Sequence, residues 1–269
     1  MKKWVSIIGL TGVVLTGLSS SLLAATVSVS GTANIFSAGQ NANGGFPGGG
    51  AYAVQGVSFQ ANSGQVITFG NGTPGNLGIT GTTNCGAAAP CNAPPSPADG
   101  SNLTFSVGAN DGTNITTASV GTGISGIIFT GREMFLGGVF LTDAVPSGFG
   151  AFADNYTSAS NQVNFAPLIG QVFFVGDGLT GTDAANVGSG STQTFQVPTT
   201  ATRLFLGFAD AFNNFSTSGG GSPSAYGDNT GSLSVNINTS GLVTPEPGTL
   251  MLMGAGLMGL ALLRRKIAL

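Results

Sequence analysis

Apolar and polar residues alternate strictly between Ser232 and Ile237. Leu233, Val235 and Ile237 fall on one side, and Ser232, Ser234 and Asn236 on the other. A period of two marks a half-buried strand. Upstream, residues 204–208 form a continuous apolar run that leads into Asp210, which predicts a second strand. A loop rich in Gly, Ser and Asn separates the two and ends in Tyr226-Gly227-Asp228-Asn229-Thr230-Gly231. If these strands pair, Asp210 at one loop end comes close to Asp228 and Asn229 at the other. Two carboxylates, an amide oxygen and turn carbonyls suit a hard cation such as calcium. The same residues equally suit an ordinary polar hairpin turn.

Further strands are expected along the middle of the chain. Val27-Ser28-Val29-Ser30 alternates, residues 51–61 carry Val54, Val57 and Phe59, and residues 66–69 follow a Ser63-Gly64 turn. Residues 126–129 and 134–141 read as two strands around Thr130-Gly131-Arg132, and residues 171–175 and 193–197 add two more. No window between residues 26 and 240 sustains a 3.6-residue period. Short strands broken by Gly, Pro and Asn predict an all-β fold, a β-sandwich or jelly roll. Residues 40–50 and 70–111 read as long loops, and a loop of the second length is usually functional or disordered. Within residues 177–183, Asp177 and Asp183 sit in a second loop without EF-hand spacing, so a turn between strands is expected there.

The two ends of the chain are different. Lys2 and Lys3 precede an apolar stretch over residues 5–18, and Leu22-Leu23-Ala24-Ala25 supplies small residues near a cleavage site. This is the layout of a secretory signal helix, residues 1–25. Export permits disulfides. Cys85 and Cys91 are then expected to bond and close a small loop, worth about 2 kcal/mol in the chain-entropy model. A metal site there is disfavoured, because the chain holds no third thiol and no His.

Charge narrows the function classes. Residues 26–240 contain two cations, Arg132 and Arg203, against nine acids, a net charge of −7. So few cations cannot neutralise many phosphates, which argues against nucleic-acid binding. An enzyme is not expected either. There is no His, no Lys between Lys3 and Lys266, and no Gly-x-Ser-x-Gly elbow.

The order of apolar strand, Asp210, loop, Tyr226-Gly227-Asp228-Asn229 and final strand resembles the C-terminal part of the bacterial calcium-dependent galactophilic lectins. That resemblance implies calcium held by the side chains of Asp210, Asp228 and Asn229 and the backbone carbonyl of Ala225, with sugar hydroxyls completing the shell. Those lectins carry a cysteine pair in the sugar-side loop and grip sugar with a His and a Gln. Here Ser96-Pro97-Ala98-Asp99-Gly100 occupies roughly that neighbourhood. The resemblance therefore implies Asp210, Asp228, Asn229 and Asp99 as the carbohydrate-facing residues.

Pro245-Glu246-Pro247, an apolar stretch over residues 249–263, and Arg264-Arg265-Lys266 are similar to the PEP-CTERM sorting signal of Gram-negative bacteria. That similarity implies exosortase as the processing partner at the inner membrane, followed by release to the cell surface or beyond. Exopolysaccharide commonly accompanies the signal, and ice-binding proteins also carry it. Fifteen residues at 1.5 Å per residue span about 23 Å as a helix, short for a bilayer. The basic cluster would hold the inner end cytoplasmic. The chain thus divides into a signal peptide (1–25), a β-sandwich (26–240) and a sorting and anchor segment (244–269). The expected function is an exported, calcium-binding surface or biofilm-matrix protein with carbohydrate binding. The rivals are a purely structural surface protein and an ice-binding protein, and the second would need a repeat of regularly spaced Thr that the chain does not show.

Overall fold

The structure is a computed structural model. It describes residues 23–41, 49–59, 64–71, 98–100, 112–115, 122–130, 134–148, 150–156, 161–181, 190–210, 226, 229 and 231–240. Among these the chain is all β, apart from a 3-10 turn at Ile35–Ser37 and a 3-10 position at Tyr226. The expected signal helix and C-terminal helix lie outside the described residues.

A five-stranded sheet runs in the order β1 (Leu23–Ser30), β14 (Ser232–Ser240), β5 (Val66–Asn71), β12 (Thr194–Gln196), β10 (Asn164–Phe165). A six-stranded sheet contains β11 (Val172–Phe174), β8 (Phe135–Leu141), β13 (Arg203–Ala209), β2 (Ala33–Asn34) and β3 (Ala51–Tyr52), with β4 (Val54–Ser58) also paired to β13. A three-stranded sheet holds β6 (Gly112–Ile115), β7 (Ile127–Thr130) and β9 (Asp154–Asn155).

The residue patterns explain the placement. In β14, Leu233, Val235 and Ile237 are buried while Ser232 and Ser234 are exposed, as alternation requires of a strand with one face in the core. β8 is buried at all seven positions and β13 at six of seven, so both read as continuous apolar runs. Such strands are covered on both faces. Rings show what covers them. On one face Phe173 of β11 meets Phe195 of the five-stranded sheet at 5.1 Å and Phe140 of β8 at 5.1 Å. On the other, Phe129 of β7 meets Phe135 and Phe174 at 5.3 and 5.1 Å.

One expectation changes. The strands at 203–209 and 232–240 do not pair with each other. β13 pairs with β8 and β4, while β14 pairs with β1 and β5. The strands on either side of Thr130-Gly131-Arg132 likewise belong to different sheets. Strand β1 starts at Leu23, so residues 23–25 of the expected signal peptide pair with residues 237–239 of β14 in the full chain.

Candidate functional site

Strand β8 begins at the end of the six-stranded sheet where β11 and β13 finish, because both are antiparallel to it. Asp210 is the first residue beyond β13. The chain re-enters through Tyr226 and Asn229 before β14 begins at Ser232. Each of these three side chains is buried, with Asp210 at 1 % exposure and Asn229 at 4 %.

Tyr226 anchors the approach. It is the one aromatic residue between Ser216 and Gly231, a stretch otherwise of Gly, Ser, Thr, Pro, Ala, Asp and Asn. Its hydroxyl donates to the Phe208 carbonyl at 2.9 Å and accepts from the Asp210 amide at 3.0 Å. The hydroxyl thereby bridges two backbone groups where β13 ends. Burial, with the Asp210 carboxylate close by, pushes the phenol well above its ordinary value of 10.0. Gly50 passes directly over this residue. Its φ is +83°, and a Cβ there would lie 2.5 Å from Cβ of Tyr226.

Asn229 completes the contact. Its Nδ2 donates to Oδ2 of Asp210 at 3.0 Å and faces the Met134 thioether at 3.4 Å. Met134 has a left-handed backbone, φ 57°, and its amide donates to the Ala209 carbonyl. Non-glycine residues hold that conformation only where the surroundings over-determine it. Oδ1 of Asn229 is buried and has no hydrogen-bond partner. Turning the amide over would set Oδ1 against the Asp210 carboxylate, two acceptors facing each other. In either orientation the pair has an oxygen whose demand a cation would meet.

Asp99 is elsewhere at the same sheet end. It is 1 % exposed, and its Oδ1 accepts the Asp177 amide at 2.9 Å. Asp177 in turn accepts from the Leu179 amide at 2.8 Å, a local turn of the kind expected for this segment. Asp177 follows β11 and Asp210 follows β13, with β8 between these two strands.

The structure therefore joins Asp210 to Asn229, as the sequence led one to expect, although through two sheets and not through a hairpin. Tyr226 and Met134 were not expected as members. An aromatic in a Gly/Ser segment was a readable sign for Tyr226, whereas Met134 offers none. Ala225, Asp228, the Cys85 and Cys91 pair, and Pro245 to Lys266 lie outside the described residues. Among the described residues, no group of three or more His, Cys, Asp or Glu side chains could hold a metal ion. Any cation here would need the Asn229 amide oxygen and Asp228 besides Asp210.

Residues 243–266 match the PEP-CTERM protein-sorting motif. This motif implies export, membrane-linked processing and exosortase as the processing partner. No curated protein and no solved structure matches the chain.

Proposed function

We propose that this exosortase-sorted protein is a non-enzymatic sandwich of two sheets that binds calcium at Asp210, Asn229 and Asp228 and works in the extracellular matrix. The observation that supports the reading most is the buried, unpartnered Oδ1 of Asn229 beside the Asp210 carboxylate. A buried carbonyl oxygen without a partner costs about 1–3 kcal/mol, so a ligand for it stabilises the fold. The chemistry supplied by calcium is charge neutralisation and, through its open coordination positions, hydroxyl binding. Exopolysaccharide, rich in hydroxyls, is the partner this reading names. Asp99 belongs to the Asp177 turn in this account and serves the fold.

Isothermal titration of calcium into the protein tests the site. Binding near 0.1–1 mM is expected for an extracellular module of this type. Asp210→Ala and Asn229→Ala should each abolish the heat of binding, and Asp143→Ala should leave it intact. A glycan array run with calcium and with chelator then tests the sugar step separately. The second reading is a purely structural latch, which the direct hydrogen bond from Asn229 to Asp210 favours. A protein that takes up no calcium at several millimolar supports the latch.

A further inference from the structure

The two ends of the described body leave it side by side. Leu23, where β1 begins, lies opposite Thr239, next to the last residue of β14. Val66 opens β5 opposite Ser240, and Gln196 closes β12 opposite Val66. In the other large sheet, Arg203 opens β13 opposite Leu141 and Ser58, the last residues of β8 and β4. Only six residues separate β12 from β13 and seven separate β4 from β5, so these strand ends all belong to one end of the body. Asp210 and Asn229 are at the other.

Three side chains at the first end are out of place in water. Among the described residues, Phe152 (92 % exposed), Leu168 (61 %) and Val145 (51 %) are the most exposed large apolar groups. Val145 is on the connection that follows β8. Leu168 lies three residues past Phe165, where β10 runs out parallel to β12. Gln171 ties the other two together, since its Nε2 donates to the Phe152 carbonyl at 3.4 Å and its Oε1 accepts the Leu168 amide at 2.9 Å. Val145 lines a shallow hollow of about 210 Å³ with Ala151 and Ile169, the chain neighbours of Phe152 and Leu168. The three therefore border one surface. The platform is held firmly. Arg203 donates to the carbonyls of Thr142 (2.9 Å) and Ala144 (3.0 Å), and Gln40 to that of Pro146 (3.0 Å). Apolar exposures scattered singly need no explanation, but a cluster rimmed by polar groups marks an interaction surface.

The chain ends say what covers it. From Ser240 to Pro245 is five residues, at most about 18 Å of extended chain, and nine residues to Thr249, at most about 32 Å. A membrane-held tail beginning there keeps this end of the body against the bilayer. The charge balance agrees. Among the described residues this end carries Arg203, the one Lys or Arg, with Asp143, whose carboxylate accepts the Thr202 hydroxyl, and Asp154, while the opposite end carries Asp99, Asp177 and Asp210 and no cation, so the docking end is the less acidic of the two. Anionic headgroups attract basic groups and repel acidic ones.

We infer that this end is a lipid-docking surface, with Phe152, Leu168 and Val145 entering the headgroup boundary of the bilayer while the tail is held in the membrane. The inference rests on the sorting reading of the tail. Docking would fix the body's orientation and hold the short segment around Pro245-Glu246-Pro247 at the membrane surface, where a membrane protease could reach it.

The test uses the full chain with its single Trp replaced, Trp4→Phe, and a reporter indole added by Phe152→Trp. A second chain carries Tyr52→Trp instead, on β3, whose neighbour Asn34 lies opposite Phe208 toward the other end. Both are reconstituted in phosphatidylethanolamine and phosphatidylglycerol vesicles with brominated acyl chains. Both chains should float with the vesicles. The indole of the Phe152→Trp chain should be quenched about twofold or more relative to that of the Tyr52→Trp chain, as for a side chain at the acyl boundary. Adding Val145→Ser and Leu168→Ser should reduce that difference. Chains that float while the two reporters are quenched equally overturn the docking surface and leave the tail reading standing. A Phe152→Trp reporter shifted to the blue without bromine quenching means cover by protein, a second copy included, and also overturns it. Chains that do not float overturn both.

Discussion

Tyr226 ties the loop before β14 to the end of β13 through one hydroxyl. Tyr226→Phe leaves the Phe208 carbonyl and the Asp210 amide without that partner in a buried site, which should cost about 2–4 kcal/mol in denaturant unfolding. A pH effect accompanies it. The folded phenol titrates above its ordinary value of 10.0, chiefly through burial and then through the Asp210 carboxylate. Tyr156 is raised in the same way, by burial first and then by Asp154. A group whose folded pKa is raised contributes stability that is complete below the unfolded pKa and is lost as pH rises above it. Unfolding free energy should therefore hold steady up to about pH 9 and fall from about pH 10 upward. In Tyr226→Phe the alkaline fall should be shallower, because only the Tyr156 part of it remains. An equally steep fall in the variant would remove Tyr226 from this account.

Strands make sharper predictions, because their glycines have unequal surroundings. At Gly138 in β8 a Cβ would lie 2.5 Å from Cζ of Phe173, a ring held between Phe140 and Phe195. Gly138→Ala should destabilise by about 1–3 kcal/mol through overpacking. Gly70 in β5 meets nothing within 4 Å, so Gly70→Ala should be neutral or stabilise by up to about 1 kcal/mol through the unfolded chain. Thermal melts of the two variants check this, and equal effects would show that the Phe173 contact is not what excludes a methyl group. Processing also acts on an element. Cleavage after Ala25 would remove three of the eight β1 residues, those opposite Ile237, Asn238 and Thr239. Hydrogen exchange at these β14 positions should be faster in a chain beginning at Thr26 than in one beginning at Leu23, with positions 232–236 unchanged.

At the scale of the molecule, some features were legible in the sequence and others were not, for physical reasons. The alternation around Val235 announced β14, because one face of that strand is dry. The continuous runs around Leu206 and Val139 announced β13 and β8, because those strands are buried on both faces. Two-residue strands such as β9 and β10 carry no period, so nothing marked them. Sheet membership was not legible either. β1 and β14 pair across some two hundred residues, and no local pattern states a partner at that range. Hence β13 was expected to pair with β14, and the contact between Asp210 and Asn229 was reached by a wrong route. Both strands point their loop ends to the same end of the body, which is why the two side chains still meet. Met134 had no sequence cue, since its role comes from a backbone conformation and one thioether contact. The tail was legible in full, because a sorting motif is read as a linear segment and needs no fold.

Calcium at Asp210 and Asn229 is the central claim, and differential scanning calorimetry of the body in calcium and in chelator tests it most directly. Binding to the folded state alone stabilises by RT ln(1 + [L]/Kd), about 1.4 kcal/mol at tenfold excess over Kd. For a body of this size that is a rise in Tm of about 3–6 °C. The account predicts this rise in 10 mM calcium for the wild type and its loss in Asp210→Ala and Asn229→Ala. Identical melting of the wild type in calcium and in chelator would contradict the metal site, and with it the calcium-dependent binding of polysaccharide.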